Sequence, residues 1–96
     1  MNKVLKIAEC CGSFAENKDS AREMRESILR PAIETPRQKV VLDFEGVDSS
    51  TQSFIHALLS DLLQSFGEKA LDRIQFKNCS KSIKSLITAV VSYSLE

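Results

Sequence analysis

Tryptophan is absent from this sequence of 96 residues, which also has only three glycines, two prolines and one histidine. Three scattered glycines supply neither a glycine-rich phosphate loop nor the glycine-rich turn that forms an oxyanion hole. No charge of one sign predominates, since 13 lysines and arginines balance 13 aspartates and glutamates. Nucleic-acid binders normally carry a basic excess that neutralises phosphates. The composition therefore argues against a nucleic-acid partner.

Long apolar runs are absent as well. No run approaches the roughly 20 residues that a membrane-spanning helix needs. The apolar stretch in the opening residues, MNKVLKIAECC, is far shorter than the core of a secretory signal. We therefore expect a cytoplasmic protein with no membrane partner. The length fits one domain, residues 1–96, with a single modest core.

Cysteine is scarce, and its pattern does not suggest disulfides. Cys10 and Cys11 are adjacent and Cys79 stands alone, so the odd total gives no disulfide framework. Together with the one histidine, these thiols are too few and too poorly spaced for a zinc site. We expect three reduced thiols, some of them buried, and neither a metal nor another cofactor.

The segment from Lys39 to Gly67 is the most informative part of the chain. A buried-strand run, Val40–Phe44, is followed by a polar loop, Glu45–Ser50, and then by an amphipathic helix that closes on Gly67. One face of this second helix is apolar and carries Ile55, Leu58, Leu59, Leu62, Leu63 and Phe66. The opposite face is polar and carries Gln52, His56, Ser60 and Gln64.

Two further elements are predicted before that segment. Val4–Glu9 alternates as a strand does, and the small residues Cys10–Ser13 are expected to turn the chain. A first helix comes next, with Asp19 or Ser20 as its N-cap. Its apolar residues recur at helical spacing from Ala21 onward.

Pro31 bears on where the first helix ends. Proline lacks an N–H group and clashes with the preceding turn, so the helix is expected to kink or end near Leu29 or Arg30. After the second helix, Ala70–Leu71 is interpreted as a short turn into a third strand, Ile74–Lys77.

A last helix completes the predicted order. Ser80 or Ser82 is its expected N-cap. One apolar stripe marks its buried face and consists of Ile83, Leu86, Ile87, Val90 and Val91. The alternation of strands and helices predicts an α/β domain in which about three helices pack on a mostly parallel sheet of three strands, or of four if another strand lies within Cys11–Phe14.

Three stretches of the sequence resemble a known family. They are GSFAENKDSAREMRESIL, LDFEGVDSSTQSF and RIQFKNCSKSIKSLI, which occur in the expected order and together cover nearly the whole chain. The chain resembles the bacterial STAS-like domains of unknown function (DUF4325-like), which are distantly similar to STAS domains of the anti-sigma-factor antagonist kind. The resemblance implies a single small STAS-like domain with a role in signalling.

In antagonist STAS domains, an Asp-Ser-Ser/Thr-Gly motif opens the equivalent helix, and its serine is phosphorylated by an ATPase-type kinase partner. An ungapped alignment from Leu42 places Gln52 at the phosphoserine position, with Ser53 beside it. A literal Asp-Ser-Ser-Thr occurs three residues earlier, at Asp48–Thr51. The glycine of the motif is missing in either register, so the phosphorylated position is not defined by the alignment.

The candidate site lies in this joint between strand and helix. As a phospho-switch or an interaction surface we select Asp48, Ser49, Ser50, Thr51, Gln52, Ser53 and His56. Hydroxyl groups at a helix start also serve simply as caps for free N–H groups. A phosphate there would meet the positive end of the helix dipole and would alter partner affinity.

Catalytic alternatives are weak. His56 shares a helical face with Ser53 and Ser60, but Asp61 points about 140° away from it, so no triad is expected. The Cys10–Cys11 pair lacks the spacing of redox motifs. We therefore expect a protein that is not an enzyme.

Asp43 lies inside an apolar strand, where a carboxylate needs polar partners. One interpretation is structural, with the side chain at the strand end as a cap for the next helix. The other makes it part of the binding surface. The structural role is favoured.

Two functions remain open. The first is a non-catalytic regulatory protein-interaction module, for which the resemblance implies a histidine-kinase-like ATPase or another signalling protein as partner. The alternative is a small-molecule or nucleotide sensor that uses strand-end loops near Gly12 and Gly46. A homodimer through Val90, Val91 and Tyr93 is also left open, should the last helix be incompletely covered.

Overall fold

The computed structural model describes residues 2–35 and 37–95, and of Asn2 the backbone alone. The elements alternate between strand and helix along the chain. In order they are β1 (Asn2–Lys6), α1 (Ile7–Cys11), β2 (Phe14–Ala15), α2 (Lys18–Met24), a π-helical segment (Arg25–Leu29), α3 (Arg30–Glu34), β3 (Lys39–Asp43), β4 (Ser49–Ser50), α4 (Gln52–Phe66), α5 (Glu68–Arg73), β5 (Ile74–Lys77) and α6 (Lys81–Ser94).

The main sheet has three parallel strands in the order β1-β3-β5. Leu42 of β3 lies between Leu5 and Phe76 in register. The predicted strand Ile74–Lys77 is confirmed, and the predicted strand in the middle of the chain is confirmed apart from its last residue, which lies just after β3. The α/β class and the parallel strands are thus confirmed.

One face of this sheet is covered and the other is more open. Val40 and Leu42, which point to the same side, are fully buried. On the other side Val41 is only half-buried and Val4 is 57% exposed. The helices therefore cover mainly one face, whereas sheets that are parallel throughout usually have both faces covered.

A second sheet consists of β2 and β4 alone. These two-residue strands run parallel, with Phe14 opposite Ser49 and Ala15 opposite Ser50. The fourth strand expected within residues 11–14 therefore overlaps the observed one only at Phe14, and it does not join the main sheet. This small sheet fixes the loop before α4 against the start of the chain.

The prediction of a strand over Val4–Glu9 was wrong in its second half. The strand ends at Lys6, and the chain continues as helix α1 through the cysteines that were expected to form a turn. In the helix, Ile7 is fully buried and Cys11, four residues later, packs beside the same core. A strand would have placed Glu9 on the same face as Ile7, and a charge there is costly to bury.

The first long helix does not end before Pro31. It changes to a π-helix over Arg25–Leu29 and continues as α3, with Pro31 in its first turn. The wider turn is closed by the N–H of Arg30, which bonds to the carbonyl of Arg25. Such a turn accommodates the missing N–H of proline and the ring beside it. The helix therefore does not end near Leu29 or Arg30, and a π-helical turn lies where the kink or end was predicted.

The N-cap of α2 was also predicted at the wrong residues. It is Asn17, not Asp19 or Ser20. The Oδ1 atom of Asn17 accepts hydrogen bonds from the backbone N–H groups of Asp19 at 2.9 Å and Ser20 at 3.2 Å. Asp19 and Ser20 therefore donate the N–H groups of the capping bonds, whereas the prediction had one of them accept such bonds.

Helix α4 agrees with the prediction. Thr51 caps it, since its Oγ1 accepts from the N–H of Phe54 at 3.1 Å, and Gly67 ends it with φ +63°. The predicted apolar face is buried except for Phe66, which is half-buried. On the predicted polar face, Ser60 is the exception, because only 3% of it is exposed.

The segment after α4 is helical rather than a turn. Ala70–Leu71 lies inside α5, and Ala70 is fully buried. Ser80 caps α6, since its Oγ accepts from the N–H of Ile83 at 3.2 Å. Counting the interrupted helix once, the described residues form five helical regions, two more than the expected three. None of these helices is both long and apolar enough to cross a membrane.

The predicted buried stripe of α6 is largely confirmed. Ile83, Ile87 and Val90 are buried, and Leu86 and Val91 are half-buried. Val90 has no exposed surface, so it is unable to contribute to the homodimer contact that was considered for Val90, Val91 and Tyr93. The dimer itself stays a prediction.

Gly46 provides a test of how α1 is packed. It lies in the turn from Phe44 to Val47, with φ +88°, and a Cβ atom there would lie 3.3 Å from the Cβ of Ala8. We expect Gly46→Ala to lower the free energy of unfolding by more than the ~1–2 kcal/mol that the left-handed conformation costs. The matched control is the double variant Gly46→Ala/Ala8→Gly, which removes the Cβ atom that the new methyl group would meet. Gly46→Ala should cost less in the Ala8→Gly background than in the native chain. Equal costs in urea denaturation would contradict the packing contact.

Candidate functional site

A groove runs between α2 and α4, from Gln52 at the start of α4 to Gln64 in its last turn. Its volume is about 550 Å³, and it is open to solvent along its length. One wall is basic and consists of Lys18, Arg22 and Arg25. The rest of the lining is mostly polar and consists of Gln52, Ser53, His56, Ala57, Ser60, Asp61, Gln64 and Tyr93. We call this lining the helix groove.

Helical spacing explains both walls. Lys18, Arg22 and Arg25 are separated by four and three residues, so they share one face of their helix. On α4, the polar residues Gln52, His56 and Ser60 recur every four residues opposite the buried face. The groove thus forms where two helices pack through apolar stripes and leave their polar edges side by side.

Arg25 joins the two walls. Its Nη1 donates to the backbone carbonyl of Ala57 at 2.8 Å, and its Nε donates to Glu26 at 2.7 Å. Arg30 donates to Glu26 at 3.0 Å and also forms an ion pair with Asp61 of α4. The two arginines therefore bind successive turns of α4.

The π-helical turn sets this register. Arg25 and Arg30 are five residues apart, whereas Ala57 and Asp61 are four apart. Because the π turn takes up one extra residue, both arginines face α4. The pKa of Glu26 is lowered by its hydrogen bonds to Arg25 and then to Arg30.

The structure brings three of the seven predicted site residues together in the groove. Gln52, Ser53 and His56 are exposed on its lining. Ser53 is the second residue of α4, and among the described residues its hydroxyl has no hydrogen-bond partner within the chain. These three residues form an exposed polar edge at the start of α4.

The other four predicted residues serve largely to fix the loop. Thr51 is the N-cap of α4, and the Oγ of Ser50 donates to the carbonyl of Ala15 at 2.7 Å. Ser49 is half-buried in β4. Asp48 has an exposed side chain, while its carbonyl accepts from the Oγ of Ser80 at 3.1 Å.

Tyr93 is the part of the site that sequence reasoning missed. Its ring stacks on that of His56, with centroids 5.9 Å apart and planes at 26°. Tyr93 is 38% exposed and comes from the end of α6, 37 positions from His56 in the sequence. No local pattern connects two residues so far apart, so only the fold reveals that α6 contributes to the groove.

Ser60 and Ser94 connect α4 to α6 beside this stack. Ser94 donates to the Oγ of Ser60 at 3.0 Å, and both residues are buried. The Nε2 of Gln64 also approaches Ser60, at 3.4 Å. Because Tyr93 precedes Ser94, this polar contact positions the aromatic ring of Tyr93 near His56.

The contact between Ser60 and Ser94 is open to a double-mutant cycle. We expect Ser60→Ala to lower the free energy of unfolding by about 1–3 kcal/mol, because Ser94 loses its buried partner. The loss in the double variant Ser60→Ala/Ser94→Ala should be smaller than the sum of the single losses. Urea denaturation measures all three. Strictly additive losses would show that the two hydroxyls are not coupled.

Asp43 lies outside the groove, at the end of the central strand. Its Oδ1 accepts from the Nδ2 of Asn78 at 2.9 Å and from the backbone N–H of Glu45 at 3.0 Å. Only 8% of the residue is exposed. These bonds, that from Asn78 first, lower the pKa of Asp43. The side chain thus joins the ends of β3 and β5. Its role is structural, but the predicted cap of the next helix was wrong, because Thr51 caps α4.

This depressed pKa predicts a pH dependence. Asp43 stabilises the fold at pH values above the ordinary carboxyl pKa of about 3.9, and the contribution is lost as the pH falls through the lower folded-state pKa. We expect Asp43→Asn to be less stable than the native chain at pH 7. The difference between the two chains should shrink between about pH 4 and pH 2. Thermal unfolding across that range measures it, and a constant difference would contradict the assignment.

Two of the three cysteine thiols have a raised pKa. Burial, followed by the neighbouring Cys10, raises the pKa of Cys11 to about 11, and burial raises that of Cys79. All three cysteines are free. The expectation that some of them would be buried was wrong, because Cys10 is exposed and Cys11 and Cys79 are half-buried. Within residues 2–35 and 37–95, no three His, Cys, Asp or Glu side chains are grouped as a metal site would require.

The loops near Gly12 and Gly46 were expected to bind the ligand if the protein is a small-molecule sensor. Gly46 approaches α1, where a Cβ atom would meet Ala8, so its lack of a side chain serves packing. Gly12 caps α1 with φ +71°. Neither contact involves the helix groove, and the sensor interpretation gains no support from these turns.

The fold and the groove define a small α/β module with a polar helix–helix edge. A comparison with family profiles matches residues 20–84 to the STAS-like domain of unknown function (DUF4325). The chain belongs to this family, and the resemblance seen in the sequence is confirmed. No curated protein and no solved structure matches the chain. The match includes most of the groove but not Lys18 or Tyr93.

Proposed function

We propose that this protein is a non-catalytic regulatory module that binds a protein partner through the helix groove. The observation that carries the proposal is the exposed edge of Gln52, Ser53 and His56 at the start of α4, opposite a basic wall. These side chains leave hydrogen-bonding groups available to a partner. The STAS-like family supports a regulatory role.

The finer proposal is that phosphorylation of Ser53 switches this surface. Ser50 and Thr51 already use their hydroxyls within the chain, at 2.7 Å and 3.1 Å, and Ser49 is half-buried. Ser53 is exposed at the second position of a 15-residue helix. A kinase therefore has access to Ser53 without unfolding the loop before it.

A phosphate on Ser53 would be compatible with the start of α4 and would change the charge of the helix groove. It would add about −1.5 to −2 charges next to free N–H groups at the positive end of the α4 dipole. It would also face Lys18 and Arg22 across the groove. The groove would change from a basic to a nearly neutral or acidic surface, and a partner that recognises the basic wall would be released.

The partner we propose is the one that the resemblance to antagonist STAS domains implies. It is a histidine-kinase-like ATPase or another signalling protein that meets the module in the cytoplasm. Such a partner would supply the phosphoryl group as well as the binding site, so the module itself would need no catalytic residue.

The switch is tested with an affinity pull-down from the native host by three variants. We expect the native chain and Ser53→Ala to capture the same ATPase or signalling protein, and Ser53→Asp to capture at least about tenfold less, a change of ~1.4 kcal/mol. Ser65→Asp is the matched control, because Ser65 is exposed on the last turn of the same helix. It should bind as the native chain does.

Two further readouts separate binding from folding. Ser53→Asp should melt at or above the native temperature, because a carboxylate near a helix start stabilises it by about 0.3–1 kcal/mol. The intact mass of the captured bait should show one added phosphoryl group. Equal capture by Ser53→Asp, together with an unmodified bait, would overturn the switch.

A further inference from the structure

The charges between Arg73 and Leu95, which precede the terminal Glu96, are one-sided. From Arg73 to Leu95 the sequence contains four basic residues and no acidic one, although the whole chain has no net charge. The earlier part of the chain is correspondingly acidic. The total composition hides this difference in charge between the two parts of the chain. It becomes visible when β5 and α6 are considered together.

The four basic residues differ in how their charge is used. Arg73 donates to the backbone carbonyls of Thr35 at 2.8 Å and Gln38 at 3.2 Å, so its charge has a structural use. Lys77, Lys81 and Lys84 are exposed, and none forms an ion pair with another residue in the described part of the chain.

The lysines on α6 do not stabilise their own helix. Lys81 and Lys84 lie in its first turn, where a positive charge opposes the helix dipole, and the turn has no acidic residue. Basic residues favour the last turn of a helix, and α6 has none there. Helix stability therefore does not explain where these lysines are found.

Two shallow hollows surround the lysines. One lies between the end of β5 and α6, has a volume of about 480 Å³, and includes Phe76, Lys77 and Lys84. The other lies on the outer face of α6, has a volume of about 500 Å³, and includes Lys81 and Lys84. Lys84 and Thr88 line both, so the hollows are continuous.

We infer that this surface binds an acidic segment of a protein partner. We call it the lysine surface and define it by Phe76, Lys77, Lys81, Lys84 and Thr88. Carboxylates of the segment would pair with the three lysines, and an apolar side chain would contact the half-buried ring of Phe76. The surface shares no residue with the helix groove, so this inference goes beyond the proposed function.

Shape and charge favour a peptide over other anions. The two hollows are adjacent, since Lys84 and Thr88 line both, and together they suit an extended chain better than a small ion. Nucleic acid would need more than three lysines and would be repelled by the acidic remainder of the chain. The lysines are also point charges without the planar fork with which arginine grips phosphate.

The test uses the whole chain and a short synthetic peptide of Glu and Asp with one central Leu. We expect amide NMR signals of residues 76–88 to shift on titration at low salt, and the shifts to weaken as salt is added. The triple variant Lys77→Gln/Lys81→Gln/Lys84→Gln should bind at least about tenfold more weakly.

A matched control removes the same charge elsewhere. Lys3→Gln/Lys39→Gln/Lys69→Gln replaces three exposed lysines outside the surface and should bind the peptide as the native chain does. The single reversal Lys84→Glu, at a residue that lines both hollows, should weaken binding on its own. It provides a second measurement if a triple variant fails to fold.

Several results would overturn the inference. Equal losses in the two triple variants would show only an effect of net charge. Shifts confined to the helix groove, or no shift at about 1 mM peptide, would leave the lysine surface without a peptide ligand. Tighter binding of duplex DNA, or full displacement of the peptide by inorganic phosphate, would assign the surface to another anion. None of these outcomes depends on Ser53, so the proposed switch is tested separately.

Discussion

The burial of α4 in the hydrophobic core is the interaction on which the rest of the molecule depends. Its apolar face contains Leu58 and Leu62, which are fully buried, and α2, α5 and α6 all pack against this helix. Burial of each such side chain contributes about 1.5–3 kcal/mol. Because α4 is central, its neighbouring helices meet along its polar edge. The groove between α2 and α4 is a consequence of that arrangement, and so is the exposed position of Ser53.

The two surfaces proposed for binding differ in how their charges are used. In the helix groove, Arg25 is bound to α4 and Asp61 is paired with Arg30, so much of the charge there holds the helices together. On the lysine surface, none of the three lysines forms an ion pair within residues 2–35 and 37–95. The pKa of Asp43, which is lowered first by the hydrogen bond from Asn78, is lowered further by the charge of Lys77. The Oγ of Ser80 donates to the carbonyl of Asp48, so the start of α6 is linked to the loop that leads into α4. This hydrogen bond connects the helix that carries Lys81 and Lys84 to the loop before Ser53.

The sequence predicted helices α4 and α6 and strands β3 and β5, and it failed on the short helices. Helix α4 was found because its apolar spacing extends over 15 residues. Helix α1 has five residues and α5 six, too few for periodicity to separate a helix from a strand or turn. Of the candidate site, Gln52, Ser53 and His56 were found from the strand–helix joint. Tyr93 and the basic wall were not found from the sequence, because their place in the site depends on how separate helices pack.

The π-helical turn amounts to one residue inserted into an otherwise regular helix. Each α-helical residue rotates the chain by about 100°, so deletion of a residue between Arg25 and Leu29 would turn everything before it by that angle relative to α3. Lys18 and Arg22 would then leave the groove, although the apolar content of the helix would hardly change. A family alignment that contains single-residue gaps at this point would therefore separate members with a basic wall from members without one. Sequence length in this short segment thus becomes a marker of which relatives share the binding surface.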